Sequence, residues 1–133
     1  MRAIHEVRGN TLFLKATGIF SLAEAKVLLP KYIEMAISRN LERVLFDLRS
    51  LKGFNTGDTS TLVRFDMAKF LAETVPSNFR FSILETPRQL SRDRFGENVM
   101  VNRGASVKVT ADLEEALAWL ELSPVNTIVV PAA

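Results

Sequence analysis

The sequence predicts an α/β domain: a mixed five-stranded sheet, opening with an N-terminal hairpin and continuing in parallel strands, with about four helices. Three observations carry that prediction. The runs Ala3–Val7 and Thr11–Thr17 stand either side of Arg8-Gly9-Asn10, the turn chemistry of an antiparallel hairpin. Three later apolar runs, Arg43–Leu48, Phe79–Leu84 and Val107–Val109, are separated by stretches long enough to cross over and return the chain in parallel. Those stretches, and the segment after the last run, carry apolar residues at steps of three and four, the spacing of one helix face.

Each element has its own local reason. In the second hairpin run Leu12, Leu14 and Ala16 alternate with Thr11, Phe13 and Lys15, which predicts one apolar and one mixed face. Ser21-Leu-Ala-Glu24 then reads as a capping box, the serine hydroxyl and the glutamate carboxylate each satisfying an orphan backbone donor. The helix it opens buries Leu22, Ala25, Leu29, Ile33, Ala36 and Ile37. Pro30 lacks an N–H and opposes the Lys26 carbonyl, so a kink or two abutting helices are expected.

A second helix is predicted over about Thr59–Thr74, with Leu62, Phe65, Ala68 (or Lys69) and Ala72 on its inner face, Phe70 and Leu71 widening it, and Asp58 or Thr59 as its N-cap; Pro76 ends it. A weaker pattern between Pro87 and Arg103 turns Leu90, Val99 and Met100 inward and stops at Gly104. Asp112-Leu-Glu-Glu begins the last helix, whose stripe is Leu113, Ala116, Leu117 and Leu120, with Trp119 beside it. One domain over 1–122 is expected, followed by a tail over 123–133 that packs loosely or adds an edge strand within the molecule or across a homodimer.

Composition narrows the function classes. At 133 residues, with 47% hydrophobic and 24% charged side chains, the chain can bury a core and lies far from the signature of disorder. Seventeen basic against 15 acidic residues leave a net charge of +2, too small to steer the protein toward nucleic acid. No cysteine is present, which excludes disulfides and thiolate chemistry, and the single histidine, His5, excludes a His-rich metal site. No stretch has signal-peptide or membrane-spanning character, so a soluble cytoplasmic protein is expected. With neither a nucleophile–base pair nor a set of metal ligands, no catalytic residue, metal or cofactor is assigned.

These residues resemble the STAS domain, and more closely its SpoIIAA-like branch, the anti-sigma factor antagonist-like proteins. The likeness is carried by a hairpin ending in Leu14-Lys-Ala-Thr-Gly18, a strand closing on Asp47-Leu48-Arg49, a polar Gly/Thr loop, and the closing Leu113-Glu-Glu-Ala-Leu-Ala-Trp-Leu120. It extends over roughly 9–122. The resemblance implies a non-enzymatic regulatory domain that binds a protein partner, switched off by phosphorylation of a serine in an Asp-Ser-Ser-Gly segment after the third strand. The matching position here is Asn55-Thr56-Gly57-Asp58, which lacks a serine; Thr56 is the nearest hydroxyl, while Thr59 or Ser60 would need a gap. The implied contact loop is therefore Asp47, Gly53, Asn55, Thr56, Gly57, Asp58, Thr59 and Ser60.

Other readings of the same residues stay open. A P-loop needs two glycines with four residues between them and then Lys; Gly53 and Gly57 have three between them, and Asp58 would repel phosphate. A plain turn, with Gly53 and Gly57 at positive φ, accounts for the same segment. Arg80, Arg88, Arg92, Arg94 and Arg103 are expected to gather around the third helix as a solvated face, with Glu85, Asp93 and Glu97 among them. The second functional reading is a carrier or sensor of a small lipid-like ligand, in a cavity lined by Phe54, Phe65, Phe70, Phe79, Phe81 and Phe95.

Overall fold

The computed structural model describes residues 1–56, 59–90 and 94–121. The expectations for Gly57, Asp58, Arg92, Asp93 and the tail 123–133 lie outside the described residues.

The chain runs β1 (Arg2–Arg8), β2 (Thr11–Ile19), α1 (Leu22–Ser38), β3 (Arg43–Lys52), α2 (Thr61–Thr74), β4 (Arg80–Leu84), α3 (Phe95–Asn102), β5 (Ser106–Thr110) and α4 (Leu113–Trp119). The strands form one five-stranded sheet in sequential order, β1-β2-β3-β4-β5. β1 and β2 are antiparallel, whereas β2–β3, β3–β4 and β4–β5 are parallel. Among the described residues this is the predicted mixed five-stranded sheet with four helices. Among the described residues no helix is long and apolar enough to cross a membrane.

The sheet is covered on both faces. Leu12, Leu14, Val44, Phe46, Phe81, Ile83, Val107 and Val109 meet Leu29, Ile33 and Ala36 of α1, Ala68 and Leu71 of α2 and Met100 of α3. On the opposite face Phe13, Leu45 and Leu84 meet Ala116, Leu117 and Leu120. Two-sided cover explains why Thr11 and Phe13 are buried although alternation predicted a mixed face there. Ser82, also on the α4 side, donates to Ala116 O at 2.7 Å and satisfies its own buried hydroxyl.

Several local expectations need correction. Of the two outcomes expected at Pro30, division into abutting helices does not occur: α1 is one helix from Leu22 to Ser38, and burial of Leu29 and Ile33 on either side of the proline holds both halves against the sheet. Ser21 caps it by accepting from Glu24 N at 3.2 Å, but the Glu24 carboxylate pairs with the N-terminal ammonium at 3.2 Å instead of closing the box. Ile37 is exposed, as is Leu62 in the first turn of α2. The N-cap of α2 is Ser60, whose Oγ accepts from Val63 N at 3.2 Å, not Asp58 or Thr59. Gly104 does end α3, at φ +89, a conformation other residues adopt only with strain.

Of the expected arginine group, Arg94 and Arg103 do flank α3 as its two cap residues, whereas Arg80 lies apart. Arg80 begins β4, at the opposite end of that strand from Glu85, where it stacks on Trp119 (4.5 Å) and pairs with Glu121 at 3.0 Å. Arg94 pairs with Glu97, and Arg103 lies over the Phe65 ring.

Candidate functional site

The segment singled out in the sequence begins later than its motif suggests, because β3 runs on to Lys52. Between Lys15↔Asp47 and Thr17↔Ser50 two steps of β2 face three of β3, so β3 carries an extra residue at Leu48-Arg49. Asp47 is therefore not a loop residue. It lies inside β3 at 0% exposure, where its carboxylate accepts from Arg49 N (3.1 Å), Nε (2.9 Å) and Nη2 (3.0 Å). The correction is physical: a buried carboxylate needs a partner, and the irregular register brings a guanidinium two residues on to the same carboxylate. Asp47 supports the end of β3 rather than touching a visitor.

Beyond the bulge the chain is held by two groups: Gln89, which sequence reasoning did not single out, and Phe54, which it assigned to a cavity wall. Gln89 Nε2 donates to Leu48 O (2.9 Å) and Leu51 O (3.3 Å), while its Oε1 accepts from Thr86 N (2.8 Å). Phe54 is buried edge-on against Phe20, with ring centroids 5.1 Å apart. Gly53 at φ +75 then turns the backbone, and Asn55 follows in the left-handed region at φ +53, which asparagine tolerates better than most residues.

Three hydroxyls follow, and the structure separates their roles. Thr59 Oγ1 accepts from Thr56 N (3.2 Å) and donates to Gly53 O (3.4 Å), closing the loop on itself. Ser60 Oγ is the cap of α2. Thr56 is exposed, and its hydroxyl makes no hydrogen bond among the described residues. Its backbone is nevertheless held: Thr56 O accepts from Thr59 N (2.9 Å) and from Arg64 Nη2 (3.0 Å). Among the described residues the loop thus presents one free hydroxyl on a braced backbone, and Leu62, on the first turn of the α2 helix that follows, is 70% exposed.

Below the loop lies a cleft of about 50 Å³ between α2 and α3, whose lining includes Phe54, Asn55, Arg64, Glu85, Arg94 and Glu97. Glu85, expected on a solvated face, is 3% exposed. Asn55 Nδ2 donates to its Oε2 at 3.3 Å, joining this acid to the loop. Burial pushes the Glu85 carboxyl up from 4.5 to about 7; the Asn55 bond opposes that rise and the neighbouring Glu97 charge adds to it. The available signal was positional: Glu85 immediately follows β4, at the carboxyl end of a parallel strand, where open α/β sheets place ligands.

The phenylalanines do not assemble around one large void. A second cavity, of about 80 Å³ and without polar lining, lies beneath α1 and borders Phe20, Phe46 and Phe54. Small-molecule pockets run to roughly 300–1,000 Å³. Phe79 and Phe81 are core residues, with Phe81 edge-on to Phe46 at 5.8 Å. Among the described residues no group of three or more His, Asp or Glu is placed to hold a metal ion. His5 is exposed on edge strand β1, against the Tyr32 ring.

No family model matches the chain. No curated protein matches it either. Among solved structures it is similar to an anti-sigma factor antagonist from Mycobacterium paratuberculosis, over 90% of this chain and 93% of that one, with a TM-score of 0.57 and 13% identity. At that identity the likeness is one of fold: the chain has the mixed-sheet α/β architecture of the anti-sigma factor antagonists, the STAS or SpoIIAA-like fold.

Proposed function

We propose that this protein is a non-enzymatic regulatory domain that binds another protein through the loop Gly53–Ser60 and the first turn of α2. The observation that carries the reading is Thr56, an exposed hydroxyl without a partner among the described residues, on a backbone clamped by Thr59 and Arg64. Thr59 and Ser60 spend their hydroxyls on the loop and the helix cap, so neither competes for the role. Exposed Leu62, on the first turn of α2, supplies an apolar contact. A fold shared with an anti-sigma factor antagonist supports a protein as partner.

A phosphate on Thr56 would add nearly two negative charges to this surface and turn a partner away by repulsion and by lost contact. The test is quantitative affinity capture from lysate of the source organism with wild type, Thr56→Ala, Thr56→Glu and Leu62→Asp, followed by affinity measurement with the purified partner. Partner recovery is expected to survive Thr56→Ala and to fall at least about tenfold with Thr56→Glu and Leu62→Asp, a loss of about 1.4 kcal/mol or more. Equal recovery by all four proteins would refute the loop as contact surface. The alternative, a carrier of an apolar ligand, is supported by the void beneath α1 only for a guest of a few heavy atoms.

A further inference from the structure

Among the described residues, two that line the cleft between α2 and α3 each carry a buried side-chain atom without a hydrogen-bond partner: Glu85, at Oε1, and Arg64, at Nε. Buried polar groups are almost always paired, so two orphans beside one void point to a missing guest. The remaining walls are largely apolar, among them Phe54, Leu71 and Phe95. A water needs roughly 10–15 Å³ of such space. At about 50 Å³ the cleft has room for a small polyatomic group.

The chemistry of the two atoms says which group. Arg64 Nη2 already donates to Thr56 O, and Nε–H projects from the same edge of the guanidinium, the edge that grips carboxylates and phosphates with two parallel bonds. No carboxylate pairs with Arg64 among the described residues. The other charged groups lining the cleft are Arg94 and Glu97 of α3, and they are engaged. They pair with each other at 3.2 Å, while Arg94 Nη1 donates to Val109 O (2.8 Å) and Glu97 Oε2 accepts from Val109 N (2.6 Å). Asn55, on the loop, spends its amide on Glu85 Oε2. Among the described residues lining the cleft, Arg64 is thus the cation without a carboxylate. Once Glu85 carries a proton, its free oxygen changes from an acceptor into a donor.

We propose that the cleft between α2 and α3 is a binding site for a small oxyanion, held by Arg64 Nε–H and by the carboxyl group of Glu85. The oxyanion has two sources, a free anion or a phosphate carried on Thr56, whose carbonyl already rests on Arg64. The free-anion source stands without the partner-binding reading; the Thr56 source rests on it.

The test is a nuclear magnetic resonance titration of 15N-labelled protein with sulfate and with acetate, at ionic strength held constant with chloride. It is run at about pH 6 and about pH 8, between which neither anion changes its charge. Saturable shifts are expected at the Asn55, Thr56 and Gly96 amides and at Arg64 Nε–H, with affinity about tenfold weaker at the higher pH as Glu85 ionises. Arg64→Gln should abolish them. Glu85→Gln, which keeps a donor and never ionises, should bind equally at both pH values. Unsaturable shifts in the wild type would overturn the proposal. So would saturable binding that persists in Arg64→Gln and Arg64→Lys proteins of unchanged circular dichroism.

A sample phosphorylated at Thr56 separates the sources. Lost sulfate binding with a displaced Arg64 Nε–H signal supports the tethered phosphate as occupant, and unchanged sulfate binding supports the free anion. Because no partner enters this experiment, its failure leaves the capture result standing, and the reverse.

Discussion

Glu85→Gln should make the protein more stable, by an amount that grows with pH. The folded carboxyl is raised to about 7 from an ordinary 4.5 because it is 3% exposed, a rise that the amide bond from Asn55 opposes and the Glu97 charge adds to. Below the unfolded value both states hold the proton and ionisation contributes nothing to the difference. Between the two values the unfolded chain releases it first, so stability falls as pH rises, and the loss is complete above the folded value. At about 1.4 kcal/mol per pH unit, the ionised side chain costs the fold about 3 kcal/mol. Glutamine keeps an oxygen for Asn55 and never ionises. The assay is urea unfolding of both proteins in chloride buffers free of oxyanions, from about pH 5 to about pH 8. Subtracting one curve from the other cancels every other titrating group. The stability gap should widen by about 2 to 3 kcal/mol over that interval, a separation of midpoints of about 1 to 2 M urea. A gap that stays flat with pH would refute the reasoning.

The same unfolding assay checks four further expectations. Ser60→Ala should cost about 1 kcal/mol, through loss of the bond that caps α2 at Val63 N. Phe81→Ala should cost about 3 to 5 kcal/mol, since Phe81 is buried at the centre of the sheet against Phe46. Asp47→Ala should cost about 2 kcal/mol, less than for a fully buried pair because the Arg49 head reaches water on one side. Thr56→Glu should change stability by less than about 0.5 kcal/mol, so any loss of partner binding it causes would report on the surface and not on folding.

The fold was legible in the sequence because its signals are local and repeated. Ser21, Pro76, Gly104 and Asp112 mark boundaries through short-range backbone chemistry, and the stripes Ala25-Leu29-Ile33-Ala36 and Ala116-Leu117-Leu120 name the faces that bury. Thr56 was legible too, as the hydroxyl nearest the position the resemblance implies. Sorting it from Thr59 and Ser60 was not: in a run of hydroxyls only geometry shows which ones the loop and the cap consume.

What the chain's pattern determined by itself, then, was the order of elements, the apolar faces and the loop between β3 and α2. Tertiary structure alone decided the environment of the charges. Asp47 looked like the acid that ends a strand and lies inside one, because an extra residue in β3 shifts the register against β2. Glu85 looked solvated among arginines and is buried, because α2 and α3 close over the end of β4 and carry Arg64 and Arg94 to it from opposite sides in sequence. Hydrophobic periodicity is a property of neighbours along the chain. The desolvation of a carboxylate depends on which distant segments pack against it, and that information exists only once the sheet has formed.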